Sequence, residues 1–163
     1  MFKIKLSILL LISFSILSCT SNQINYPNQK YSLAYIGGEF DGLLLKNYLV
    51  GNLKNLNIYD DDSLFQIKAN IHHKTNLFVT NIDNTSDREK ISTKLSIQII
   101  DLKLDCKLFN DEISVSQFYI YASSDKFLSN QTAIKKIKKD NMEAVVKKFI
   151  NKLKGINTKC NEE

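Results

Sequence analysis

From Lys90 to Ala122, apolar positions alternate with polar ones, and the alternation changes frame twice. Ile91, Leu95, Ile97 and Ile99 share one frame; Ile100, Leu102, Leu104, Cys106 and Leu108 share the other. A one-residue slip in a period-2 pattern is what a β-bulge produces, because the strand bends while one face stays inward. Asn110 and Asp111 tolerate positive φ, so their position predicts a tight turn. Ile113 and Val115 begin a return strand, which slips again to Phe118, Ile120 and Ala122. Counted back from that turn, Leu108 faces Ile113, Cys106 faces Val115, Leu104 faces Phe118 and Leu102 faces Ile120. The expectation is one long, bulged β-hairpin.

Upstream, Tyr31, Leu33 and Tyr35 alternate within 30–36, giving a first strand that Gly37-Gly38 ends. A helical pattern follows from Glu39 to Lys54, with Phe40, Leu43, Leu44, Tyr48 and Leu49 near one stripe. Gly42 and Gly51 weaken it. Phe65, Ile67, Ala69 and Ile71 point one way and Gln66, Lys68, Asn70 and His72 the other, a strand with one buried face. Residues 77–82 continue in β fashion into the turn-rich stretch 81–87. After Ser123-Ser124-Asp125, a helix from Ser129 to Lys154 is closed by Gly155. Its core stripe is Ile134, Ile137, Val145, Phe149 and Leu153, with Met142 and Val146 beside them. The order predicts an α+β fold: a two-layer sandwich with a mostly antiparallel sheet of about four strands and two helices on one face.

The first residues follow a different rule. Lys3 and Lys5 precede an apolar run from Leu6 to Leu17, too short for an ordinary membrane span of about 20 residues. The run closes with Ile16-Leu17-Ser18-Cys19, which resembles a bacterial lipobox. That resemblance implies a signal peptide over 1–18, cleavage before Cys19, and acyl chains (palmitate among them) on Cys19. Each buried CH₂ contributes about 0.8 kcal/mol, so several chains on one residue hold a protein on a membrane where one alone is marginal. Thr20, where an aspartate would retain such a protein inside, implies the outer membrane, facing the periplasm. Residues 19–28, with the chain's single proline, read as a tether; 29–155 as one domain; and 156–163 as a loose tail.

Removing Lys3 and Lys5 with the leader leaves 20 basic against 17 acidic residues, a charge of about +3. That is too mild to argue for nucleic acid as a partner. Eight lysines (135, 136, 138, 139, 147, 148, 152 and 154) occupy the outer side of the last helix. They form either a solvated face or one that meets anionic headgroups or an acidic partner wall. Asp60-Asp61-Asp62 lacks the spacing of a calcium loop and reads as a solvated turn. His72 and His73 point to opposite faces of a strand, so they do not chelate one metal together; they read as surface and strand-end residues. An oxidising periplasm permits a Cys106–Cys160 bridge, but the inward frame of Cys106 favours a small, buried, reduced thiol.

Taken together, the order of elements resembles the lipopolysaccharide-assembly lipoprotein family LptE, over residues 26–154. Local marks are Asn47-Tyr48-Leu49 in the first helix, Arg88 entering the hairpin, and the stretch from Phe127 to Leu153 with Glu143-Ala144. Family members usually follow the cysteine with glycine and an aromatic residue, where this chain has Thr20-Ser21-Asn22. The resemblance implies a lipoprotein with no enzyme activity and no cofactor. It would sit as a plug inside the outer-membrane barrel LptD, assist its assembly, and help deliver lipopolysaccharide to the cell surface. It further implies glycolipid contact by basic residues before the hairpin, for which Arg88 and Lys90 are the candidates here. Two other classes compete. A periplasmic lipid- or solute-binding lipoprotein requires a deep apolar pocket between helices and sheet. A small hydrolase requires a nucleophile motif or metal spacing, and neither is present in the sequence.

Overall fold

The computed structural model describes residues 29–79, 87–120, 126–156 and 160. The leader, Cys19 and the tether lie outside the described residues. The elements are β1 (Tyr31–Gly37), α1 (Glu39–Asn55), β2 (Phe65–Val79), β3 (Asp87–Asp101), β4 (Cys106–Ile120) and α2 (Phe127–Leu153). One four-stranded sheet has the order β1-β2-β3-β4; β1 runs parallel to β2, and the other neighbours are antiparallel. Both helices pack on one face, so the architecture is the two-layer α+β sandwich that the pattern predicts.

The alternation in β2 places Ile67, Ala69 and Ile71 in the core. Register carries the same face to Ile99, Ile97 and Leu95 of β3. Leu45, Leu49 and Leu53 of α1, with Val145, Phe149 and Leu153 of α2, close over them, all six fully buried. The inward stripe of α1 is therefore rotated from the one expected. Phe40 and Leu43 are 80% and 59% exposed, because the inward place in the first turn is taken by Gly42. A Cβ on Gly42 would lie 3.0 Å from the backbone of Gly37, so the helix starts this close to the strand only with glycine there. Gly38 makes the strand-to-helix turn at φ 119°, a conformation that glycine adopts without strain.

The hairpin is present, but its turn is elsewhere. β3 ends at Asp101, and Leu102–Asp105 make the turn, with Asp105 at φ 49°. The buried Asp101 carboxylate accepts hydrogen bonds from the backbone N–H groups of Lys103 (2.8 Å) and Leu104 (3.2 Å). That is the side-chain-to-backbone device by which aspartate fixes a turn. Asn110 and Asp111 run instead through β4, opposite Gln98 and Ile97. Asp111 is held there by Lys152 of α2. Ile113 consequently pairs with Leu95, Val115 with Thr93, Phe118 with Lys90 and Ile120 with Arg88. The frame slip at Ile99/Ile100 is real, and the extra residue is Leu108 on β4. No second slip occurs, so Phe118 and Ile120 stay on the face away from the helices, and Leu102 and Leu104 are exposed in the turn.

Cys106 is bridged to Cys160, with the two Cα atoms 5.8 Å apart. This corrects the expectation of a reduced thiol; of the tail expected to be loose, only Ile156 and Cys160 are among the described residues. Ile156, just past α2, packs against the core.

Candidate functional site

The sheet has two unlike ends. At the turn end, β1 pairs with β2 as far as Asn70, and both helices cover the inner face. Beyond Asn70, β2, β3 and β4 continue as a three-stranded finger, with the N-terminal half of α2 across one face. The inner side of this finger is polar. Asn141 donates from Nδ2 to the Ile91 carbonyl (3.1 Å), and the Tyr119 hydroxyl donates to Asn130. His73 Nε2, Glu89 Oε2 and Asn141 Oδ1 are buried there without a hydrogen-bond partner.

Arg88 and Lys90 lie on the other, open face of this finger, in the opposite frame to the buried Ile91. Both are strand residues of β3, Lys90 where the hairpin was expected to begin and Arg88 at its expected entry. Arg88 is directly across from Ile120 and Lys90 directly across from Phe118. Opposed strand residues sit with Cβ atoms about 4.5–5.5 Å apart. Each cation is thus set beside a large apolar side chain, Ile120 being 64% and Phe118 59% exposed. Lys68, Lys74 and Lys94 share the same face, Lys94 paired with Glu112 at 2.7 Å. Phe118 and Ile120 escaped the sequence reading because the misplaced turn assigned them inward. Their frame relative to Lys90 would have found them. An arrangement of this kind suits an amphiphile. The planar fork of arginine and the point charge of lysine can hold phosphate groups, and neighbouring apolar side chains can hold acyl chains.

A second polar cluster lies where α1 begins. Gly38, Asp41, Asn70, Ile71, His72, His73 and Lys138 line an open cavity of about 370 Å³. His73 is mid-strand and its side chain is 5% exposed, which corrects its reading as a surface residue; His72 is exposed, as expected. The His73 ring shares a hydrogen bond from Nδ1 with the buried Thr93 hydroxyl (2.7 Å), and Nε2 is 3.6 Å from the Asp41 carboxylate. Burial pushes its pKa below the ordinary histidine value; Lys138 and His72 push the same way, and Asp41 opposes them. Among the described residues, no group of three or more His, Cys, Asp or Glu is placed to hold a metal ion.

No protein-family model and no curated protein matches the chain. Solved structures do. Rare lipoprotein B from Shewanella oneidensis is similar at a TM-score of 0.61 and 8% identity, over 77% of this chain and 93% of that one. The fold is that of rare lipoprotein B. A minor lipoprotein from Acinetobacter baumannii (TM-score 0.59, 11% identity) covers 80% of this chain and 93% of its own. An uncharacterised lipoprotein B from Nitrosomonas europaea (TM-score 0.62, 10% identity) covers 80% and 85%.

Proposed function

We propose that this chain is an outer-membrane lipoprotein of the LptE kind. Anchored through Cys19, it acts inside the LptD barrel as a plug that assists barrel assembly and passes lipopolysaccharide outward. The observation that carries this reading is the row of Arg88 and Lys90 beside Ile120 and Phe118, on the open face of a fold shared with rare lipoprotein B. The chemistry fits a phosphorylated glycolipid, with a cationic subsite for the head and an apolar one for the chains. A domain of this length has a radius of gyration of roughly 14 Å, which a wide barrel accommodates and a small one does not.

A carrier is favoured less. The space between helices and sheet is filled by buried leucine, isoleucine, valine and phenylalanine, and the cavity beside His73 is lined mainly by polar groups. The role is therefore one of surfaces, with no bond chemistry assigned to any residue.

The test is depletion together with charge reversal. Depleting the protein leaves LptD misassembled, and the double variant Arg88→Glu with Lys90→Glu restores assembly while binding lipopolysaccharide more weakly. Normal barrel assembly after depletion, or unchanged glycolipid binding by the double variant, contradicts the proposal.

A further inference from the structure

The open face of the finger carries one cation in each of four successive rows. Counted from the tip, Arg88 stands opposite Ile120, and Lys90 lies between Asn76 and Phe118. Next, Lys74 shares a row with Ser92 and Ser116, and Lys94 shares one with His72 and Ser114. Outward rows recur every two residues, so the cations step along the face about 7 Å at a time. The four rows span about 20 Å.

The fold does not use most of this charge. Glu112 is the one carboxylate on this face among the described residues, and it pairs with Lys94. No ion pair within the described residues engages Arg88, Lys90 or Lys74. Like charges one row apart repel, so the ladder costs stability unless an anion meets it. Both helices pack on the opposite face, which leaves the rows open. The first two rows are apolar in part, through Ile120 and Phe118, whereas the next two hold only serine, histidine and lysine.

We infer that the rows of Lys74 and Lys94 bind an acidic oligosaccharide, the sugar head of the same amphiphile whose acyl chains meet Ile120 and Phe118; this rests on the glycolipid reading above. Phosphate or carboxylate groups on successive sugars meet the two lysines, while Ser92, Ser114 and Ser116 exchange hydrogen bonds with sugar hydroxyls. The mixture decides against other ligands. A single-stranded nucleic acid is held by aromatic side chains between cations, and these two rows have none. An acyl chain finds nothing apolar to lie on there. A hydrated sugar chain also suits a face inside a barrel, whose interior is polar. The lysine side of α2 makes a poorer track. Asp140 and Glu143 interrupt it, Lys152 is paired with Asp111, and Lys148 donates to the Ser114 carbonyl.

The test compares two probes on the full acylated protein in detergent. One is lipopolysaccharide bearing its phosphorylated core sugars; the other is the acylated, phosphorylated disaccharide that remains when those sugars are removed. The wild type is expected to bind the first severalfold more tightly, with the margin shrinking as salt rises. Lys74→Gln with Lys94→Gln is expected to abolish the margin and leave binding of the disaccharide unchanged. Lys135→Gln with Lys139→Gln on α2 is expected to preserve it. All four positions are exposed, so neither pair disturbs the core. Equal wild-type affinity for the two probes, or a margin that survives in the Lys74, Lys94 variant, overturns the inference while leaving the glycolipid reading intact. Loss of the margin in both variants also overturns it, because the preference then follows total charge. A margin that survives in the Lys74, Lys94 variant while the barrel complex is lost would assign these rows to the barrel wall instead. Failure of the wild type to bind either probe removes the glycolipid reading and the sugar track with it.

Discussion

Cys160, beyond the end of α2, is bonded to Cys106 at the head of β4, 54 positions earlier in the chain. The bridge ties the last helix to the first residue of the edge strand. It therefore closes a loop containing β4 and α2. Constraining a loop of that length lowers the entropy of the unfolded chain by about 4 kcal/mol at room temperature in the chain-entropy treatment. Cys160→Ser is expected to lower the unfolding free energy by roughly 2–4 kcal/mol, and thiol reduction of the wild type to do the same. Chemical denaturation with and without reductant measures it; superimposable curves would show that the bridge does not form.

His73 gives the fold a pH dependence of definite sign. Its folded pKa is depressed by burial, so between the folded pKa and the unfolded value near 6.5 the unfolded chain holds more protons. Stability is complete above the unfolded pKa and falls as pH drops below it toward the folded pKa. His73→Gln keeps a partner for Thr93 and is expected to flatten that slope. Asp41→Asn removes the carboxylate that raises the pKa and should extend the loss to lower pH. Melting temperatures from pH 7.5 down to 4.5 decide this, and a His73→Gln variant with the wild-type slope would contradict it.

The two halves of α2 differ in what they bury. Val145, Val146, Phe149, Ile150 and Leu153 are in the core, whereas Asn130 and Asn141 face the polar inner side of the finger. Polar seams with unpaired buried atoms are costly to close and open more readily. Amide exchange is therefore expected to be faster over 130–138 than over 145–153. Uniform protection along the helix would contradict this division.

What could be read from the chain, and what could not, follows from the range of each interaction. The frame of Phe65, Ile67, Ala69 and Ile71 gives their buried face correctly because alternation is a local property. The turn was misplaced because Asn110-Asp111 is the more turn-like pair by type. What decides the matter is the burial of Asp101 and the pairing of Asp111 with Lys152, which lies 41 residues away. The disulfide was missed for the same reason, since nothing near Cys160 reveals that Ile156 packs back on the core. Arg88 and Lys90 could be named from the sequence as candidates, but their neighbours Ile120 and Phe118 emerge only from the register.

The central claim is that this protein plugs a barrel. Its most direct test is gentle detergent extraction of the acylated protein from its own outer membrane, followed by affinity purification and mass measurement of the intact complex. The expected result is a one-to-one complex with a large β-barrel protein, retained in the Arg88→Glu, Lys90→Glu variant. Recovery of the lipoprotein free of any barrel would contradict it.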